Sequence, residues 1–231
     1  MSELVMNELE KIIVESGITR LCHFTRSNKL VHILRNESGI IANTFLDDQL
    51  DILKKNDEFR YDNKEDYVCC SVQYPNSWYL RRIKDIDPLF KEWVVLFIDP
   101  TLITLPTTLF CHRNAAAGRG RYIKKGYEGF TGMFKDPVQG QRLIYRTPNM
   151  LPCCPTDDQA EVLIYKNISR SHIIAIAVPT EEQAKKEKLR LSFIPEVPKD
   201  IKWIVAPDIF DVTWSKMVRN GIVPKEYLYQ G

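Results

Sequence analysis

The sequence predicts a single α+β domain on a largely antiparallel sheet. Three observations predict it: short apolar runs recur along the whole chain, strands and helices do not alternate as βαβ units, and no linker rich in Gly, Ser or Pro divides it. A chain of 231 residues suffices for one large domain or two small ones, and one domain over residues 1–231 is the expectation.

Leu4, Val5, Leu9, Ile12 and Ile13 repeat at helical spacing and stop at Gly17, so residues 2–16 read as a helix. Residues 18–25 read as a strand. Ser27 is placed to cap a helix running to Leu34 and ended by the Asn36 to Gly39 stretch. Phe45 to Lys55 is a short helix or ordered loop, Asp66 to Tyr74 a strand broken by Pro75, and Trp78 to Ile83 a helical turn rich in aromatics. Trp93-Val94-Val95-Leu96-Phe97-Ile98, closed by Asp99-Pro100, is the central-strand candidate. Thr108 to Cys111 is a short strand. Asn114 to Pro155 is long, punctuated by glycine and weakly periodic, which in a compact domain marks a functional or mobile segment. Strands follow at 160–166 and 172–178, then a helix from Thr180 to Lys188 with Thr180 as cap and Gln183 as its capping-box partner. A strand at 201–205 and a helix from Phe210 to Asn220 complete the pattern.

Composition sets bounds. At 44% hydrophobic and 27% charged residues the chain is an ordinary soluble protein. No apolar run is long enough for a bilayer and the N-terminus lacks a signal-peptide pattern, so a cytoplasmic protein with no membrane partner is expected. Cysteines fall at 22, 69, 70, 111, 153 and 154; the vicinal pairs do not match zinc-ribbon spacing, and buried thiols without a metal are expected. Net charge is +2, yet Arg113, Arg119, Arg121, Lys124, Lys125, Lys135, Arg142 and Arg146 face only Glu128 and Asp136 in one segment. Such a surplus is either a solvated loop with spare lysines or a phosphate patch; arginines outnumber lysines five to three, which favours phosphate and nucleic acid.

Two triplets carry the chemistry. In His23-Phe24-Thr25 and in Gln159-Ala160-Glu161 the outer residues share a strand face, because side chains alternate. An imidazole and a hydroxyl on one strand, facing a carboxylate on another, suit a ribose-rich ligand. A glutamate at a strand edge is commonly a plain surface carboxylate. Glu161, however, opens an apolar strand, follows Asp157-Asp158, whose charge raises a carboxyl pKa, and is preceded by the long loop. Arg60 could equally pair with Asp57 or Asp62, and Tyr74, Trp78 and Tyr79 are either core aromatics or stacking platforms. Cys22-His23 and Cys111-His112 cannot act as nucleophile and base, since strand neighbours face opposite ways.

The blocks Leu21-Cys22-His23-Phe24-Thr25, Arg60-Tyr61-Asp62, Cys70-Ser71-Val72-Gln73-Tyr74-Pro75-Asn76, Glu92-Trp93-Val94-Val95-Leu96, Phe110-Cys111-His112-Arg113-Asn114-Ala115-Ala116 and Pro155-Thr156-Asp157-Asp158-Gln159-Ala160-Glu161-Val162-Leu163 occur in one order. In that order the chain resembles the DarT family of DNA ADP-ribosyltransferase toxins over roughly residues 20–180. The resemblance implies a split, twisted sheet holding NAD in its cleft. It implies Glu161 as catalytic carboxylate, Arg60 near the reacting centre, and His23, Thr25, Asn28, Tyr74, Tyr79 and Asn114 on the cofactor. Relatives carry an Asn soon after the His-x-Thr triplet; Asn28 is the candidate here, with Lys29 beside it. The loop from about 118 to 155 would grip single-stranded DNA, with Arg113, Arg119, Arg121, Lys124, Lys125, Arg142 and Arg146 along the phosphates. The activity implied is NAD-dependent mono-ADP-ribosylation of a nucleobase by a monomeric toxin with a macrodomain antitoxin. The competing readings are the same transfer to RNA or protein, and a nucleic-acid-binding module without turnover.

Overall fold

The computed structural model describes residues 7–46, 61–86 and 90–231. Helix α1 (Glu8–Glu15) starts at Asn7, whose Oδ1 accepts from the N–H groups of Leu9 and Glu10 while Glu10 bonds back to the Asn7 N–H. Strand β1 (Leu21–Arg26) runs through a 3-10 turn, Ser27–Lys29, into α2 (Leu30–Arg35). Ser27 does not cap that helix; neither the turn nor α2 has a side-chain cap, and the turn itself carries the chain in. Then come β2 (Ile40–Ile41), β3 (Tyr67–Val72), α3 (Ser77–Ile86), β4 (Trp93–Ile98) and β5 (Leu109–Cys111).

The weakly periodic basic region holds more structure than its pattern suggests. It contains β6 (Ile123–Lys125), α4 (Gly126–Gly132) and a hairpin of β7 (Val138–Gln139) and β8 (Leu143–Ile144). Strands β9 (Glu161–Tyr165), β10 (Asn167–Ile168) and β11 (Ile173–Val178) follow, then α5 (Glu181–Ser192), β12 (Lys202–Val205), α6 (Thr213–Arg219) and β13 (Tyr227–Leu228). Thr180 caps α5 by accepting from the Gln183 N–H at 3.2 Å. The Gln183 side chain reaches the Trp93 carbonyl instead of closing a capping box, at 3.0 Å.

Among the described residues, nine strands form one sheet in the order β13-β12-β11-β4-β1-β3-β9-β5-β6, antiparallel except for the β11–β12 pair. Every residue of β4 is buried, as its unbroken apolar run requires of a central strand. Its alternation sends Val94, Leu96 and Ile98 to a core with α1, α2, α4 and α5, and Val95 and Phe97 to a second core with Trp214 and Val218 of α6.

The feature that positions the site is a split. Strand β1 pairs with β4 along its whole length, Leu21 to Arg26, but with β3 only at Leu21↔Val72 and Cys22↔Ser71. Beyond Cys22 the strands diverge, and a cleft opens between the halves. Its far wall includes β2, paired with β10. Gly39 lets that pair close: at φ +66° it takes a conformation that side chains resist, and a Cβ there would meet the Ile168 carbonyl at 2.2 Å.

Candidate active site

The cleft encloses about 1900 Å³, lined by β1, α2, β3, α3, the hairpin β7–β8 and the start of β9. That exceeds what one ligand of ordinary size needs and leaves room for a dinucleotide and a second substrate. His23 sits where the sheet divides. Its Nδ1 lies 2.8 Å from the Cys69 carbonyl oxygen, which can only accept, so Nδ1 carries the hydrogen and Nε2 is left as an acceptor. Burial pushes the imidazole pKa down to about 4, so the ring is neutral near pH 7. Thr25, two residues along the same strand, is buried and lines the same cleft.

Glu161 is half-buried in the same cleft, at the first residue of β9. Asn114 Nδ2 donates to its Oε1 at 3.0 Å and the Ala115 N–H donates to its Oε2 at 3.1 Å. Each carboxylate oxygen accepts more than one hydrogen bond, so this clamp orients the group without exhausting it. Register explains the meeting: Cys111 pairs with Glu161 across β5–β9, and the turn leaving β5 brings Asn114 and Ala115 over the strand start. Asp157 and Gln159 line the cleft just before it. Burial lifts the Asp157 carboxyl to about 6, with Asp158 beside it adding to the rise.

The remaining expected residues divide. Tyr79 lines the cleft, packed on Phe24 with ring centres 5.9 Å apart. Tyr74 does not. Gln73 adopts φ +64° directly after β3, and the reversed chain buries the Tyr74 ring against Trp214, 5.2 Å between centroids. Asn28 is exposed and outside the cleft lining, whereas Lys29 is buried in that lining. Burial, with the Arg26 charge beside it, lowers the Lys29 pKa to about 8. Arg60 lies outside the described residues.

Of the basic residues, Arg113 and Arg142 line the cleft. Arg119, Arg121, Lys124 and Lys125 are exposed and stand apart from that lining, the two lysines on the edge strand β6. Arg146 is engaged within the protein: its guanidinium donates to the carbonyls of Cys154 and Leu151 and to Thr156 Oγ1. It thereby holds the turn that leads to Glu161. Four cleft cations went unread in the sequence: Arg26, Lys29, Arg82 and Arg219. Lys29 was overshadowed by its asparagine neighbour, and Arg219 on α6 arrives from a distant element that no local pattern links to the site.

A family model described as ssDNA thymidine ADP-ribosyltransferase, DarT, matches residues 22–211. Among solved structures the fold is similar to Thermus sp. 2.9 DarT in complex with carba-NAD+, at a TM-score of 0.56 and 17% identity over 83% of this chain and 97% of that one. It is similar to the same protein in complex with ADP-ribosylated ssDNA, at 0.55 and 17% over 84% and 97%. It is also similar to Thermosipho africanus DarTG in complex with ADP-ribose, at 0.53 and 16% over 83% of this chain; the chain spans about half of that protein, 51%. No curated protein matches in sequence. No helix among the described residues is long and apolar enough to cross a membrane.

Proposed function

Since the chain belongs to the DarT family of ssDNA thymidine ADP-ribosyltransferases, we propose that the split in its sheet is the NAD cleft and Glu161 the catalytic carboxylate. The observation that carries this reading is the clamp on Glu161 inside the cleft that His23 also lines. NAD supplies the ADP-ribosyl group and, in nicotinamide, a leaving group. Glu161 accepts from the ribose 2-hydroxyl and offsets positive charge as it develops on that ribose, as glycosidase carboxylates do. It also takes the proton of the thymine ring N–H, because that nitrogen attacks poorly while protonated.

The other residues bind and orient. His23 Nε2 accepts from a hydroxyl of the adenosine ribose, and Thr25 supports the cofactor beside it. Lys29 and Arg26 face the diphosphate; a partly desolvated ammonium at the cleft wall gains more from a dianion than an exposed one would. Asn114 is a positioning residue, acting through Glu161. Arg60 keeps the role the family pattern implies, near the base or diphosphate. The protein is proposed to work as a monomeric toxin in the cytoplasm, with a macrodomain antitoxin as its partner.

The test is Glu161→Ala, incubated with NAD and a thymidine-containing single strand and read by mass spectrometry. The wild type is expected to add ADP-ribose to the strand, and the variant to lose more than a hundredfold in rate while remaining folded, as a cooperative thermal transition shows. Undiminished transfer removes Glu161 from the role; transfer only to RNA or protein replaces the acceptor.

A further inference from the structure

Trp78 stands at the start of α3 with its indole 46% exposed, while Trp93, Trp203 and Trp214 are buried at 1%, 5% and 3%. It lines the cleft, and its Nε1 donates to Asp158 Oδ2 at 2.9 Å. Asp158 lies in the turn that ends at Glu161, so the indole is tied to the segment that carries the carboxylate. A large apolar ring held in one orientation, with its surface open to a polar cleft, suits a flat partner.

The same helix continues the pattern. Arg82 and Ile86 follow at four-residue intervals, are exposed, and line the cleft on the same stripe as Trp78. Each interval advances about 6 Å along the axis, comparable with one nucleotide step. Arg142, Leu143 and Tyr145 line the same cleft, all exposed. An aromatic, a cation and an apolar side chain in a row, with another such set in the same cleft, suit stacked bases with phosphates beside them.

We propose that Trp78 is the stacking platform for the thymine delivered to Glu161, and that Arg82 holds the adjoining phosphate. The strand then crosses the cleft between α3 and the β7–β8 hairpin, not along β6. This inference rests on the reading of the chain as a DNA ADP-ribosyltransferase and names the element that presents the base.

The experiment compares wild type, Trp78→Ala and Trp78→Phe, measuring the KM of a thymidine-containing oligonucleotide and, separately, NAD affinity by calorimetry. Expected is a rise in oligonucleotide KM of about ten- to a hundredfold in Trp78→Ala, largely recovered in Trp78→Phe, with NAD affinity unchanged. Since Trp78 is the exposed one of four tryptophans, oligonucleotide is also expected to quench intrinsic fluorescence in wild type and not in Trp78→Phe. An unchanged oligonucleotide KM in Trp78→Ala, with wild type active, overturns the platform alone. A loss confined to NAD affinity assigns the indole to nicotinamide and overturns it too. Wild type inactive on every single strand overturns the functional reading, and this inference with it.

Discussion

The two titratable groups flanking the chemistry pull stability in opposite directions. Asp157 has its pKa raised to about 6 from an ordinary 3.8, so the fold favours its protonated form. That contribution is present below pH 3.8 and lost as pH rises through 6. His23 has its pKa lowered from 6.5 to about 4, so the fold favours the neutral ring, and stability is lost as pH falls from 6.5 through 4. Between pH 4 and 6 the two effects oppose each other. Asp157→Asn, which keeps an acceptor for the Gln159 N–H, is expected to gain roughly 2–3 kcal/mol at pH 7 and little at pH 4. His23→Gln is expected to lose less stability on acidification than wild type. Urea midpoints at pH 4.5 and 7 check both; an Asp157→Asn variant less stable than wild type at pH 7 would refute the assignment. A buried carboxyl that weakens the fold at working pH is the kind of group an active site keeps. His23, Thr25 and Glu161 were legible because period-2 alternation is local. Tyr74 was not, since its direction depends on the left-handed Gln73, a residue type that does not announce that conformation.

At the scale of elements, charge separates binding segments from bystanders. The basic run reads as one patch in sequence, yet the structure distributes it: Arg113 and Arg142 on the cleft, Lys124 and Lys125 on an edge strand, Arg146 inside a turn. Substituting Arg113 and Arg142 together by Gln is expected to lower the slope of log affinity against log salt by about 1.4, roughly 0.7 per phosphate contact on a single strand. The same change at Lys124 and Lys125 is expected to move it by less than half as much. Equal slopes from the two pairs would mean the strand follows β6. The strands of the central sheet were readable because unbroken apolar runs such as 93–98 have one good place to go. The short strands β6, β7, β8 and β13 were not, because elements of two or three residues draw their order from neighbours rather than from periodicity.

For the molecule as a whole, the class of fold followed from pattern, whereas the opening at its centre followed only from the family resemblance: no residue marks where β1 leaves β3. Among the described residues, two ladder pairs join β1 to β3 at that seam, with the His23 imidazole reaching across to Cys69 just beyond it. A dinucleotide seated there touches both halves and acts as an added rung. At a hundred times its dissociation constant, NAD is expected to raise unfolding free energy by about 2.7 kcal/mol, seen as a concentration-dependent rise in melting temperature; no rise at any NAD concentration would mean that the folded protein does not bind the donor. Because such a rung works by contact rather than by turnover, heat can report occupancy in proteins that no longer react. Should Glu161 variants prove chemically silent, they would thus remain rankable by donor affinity, and binding becomes measurable in molecules that do not turn over.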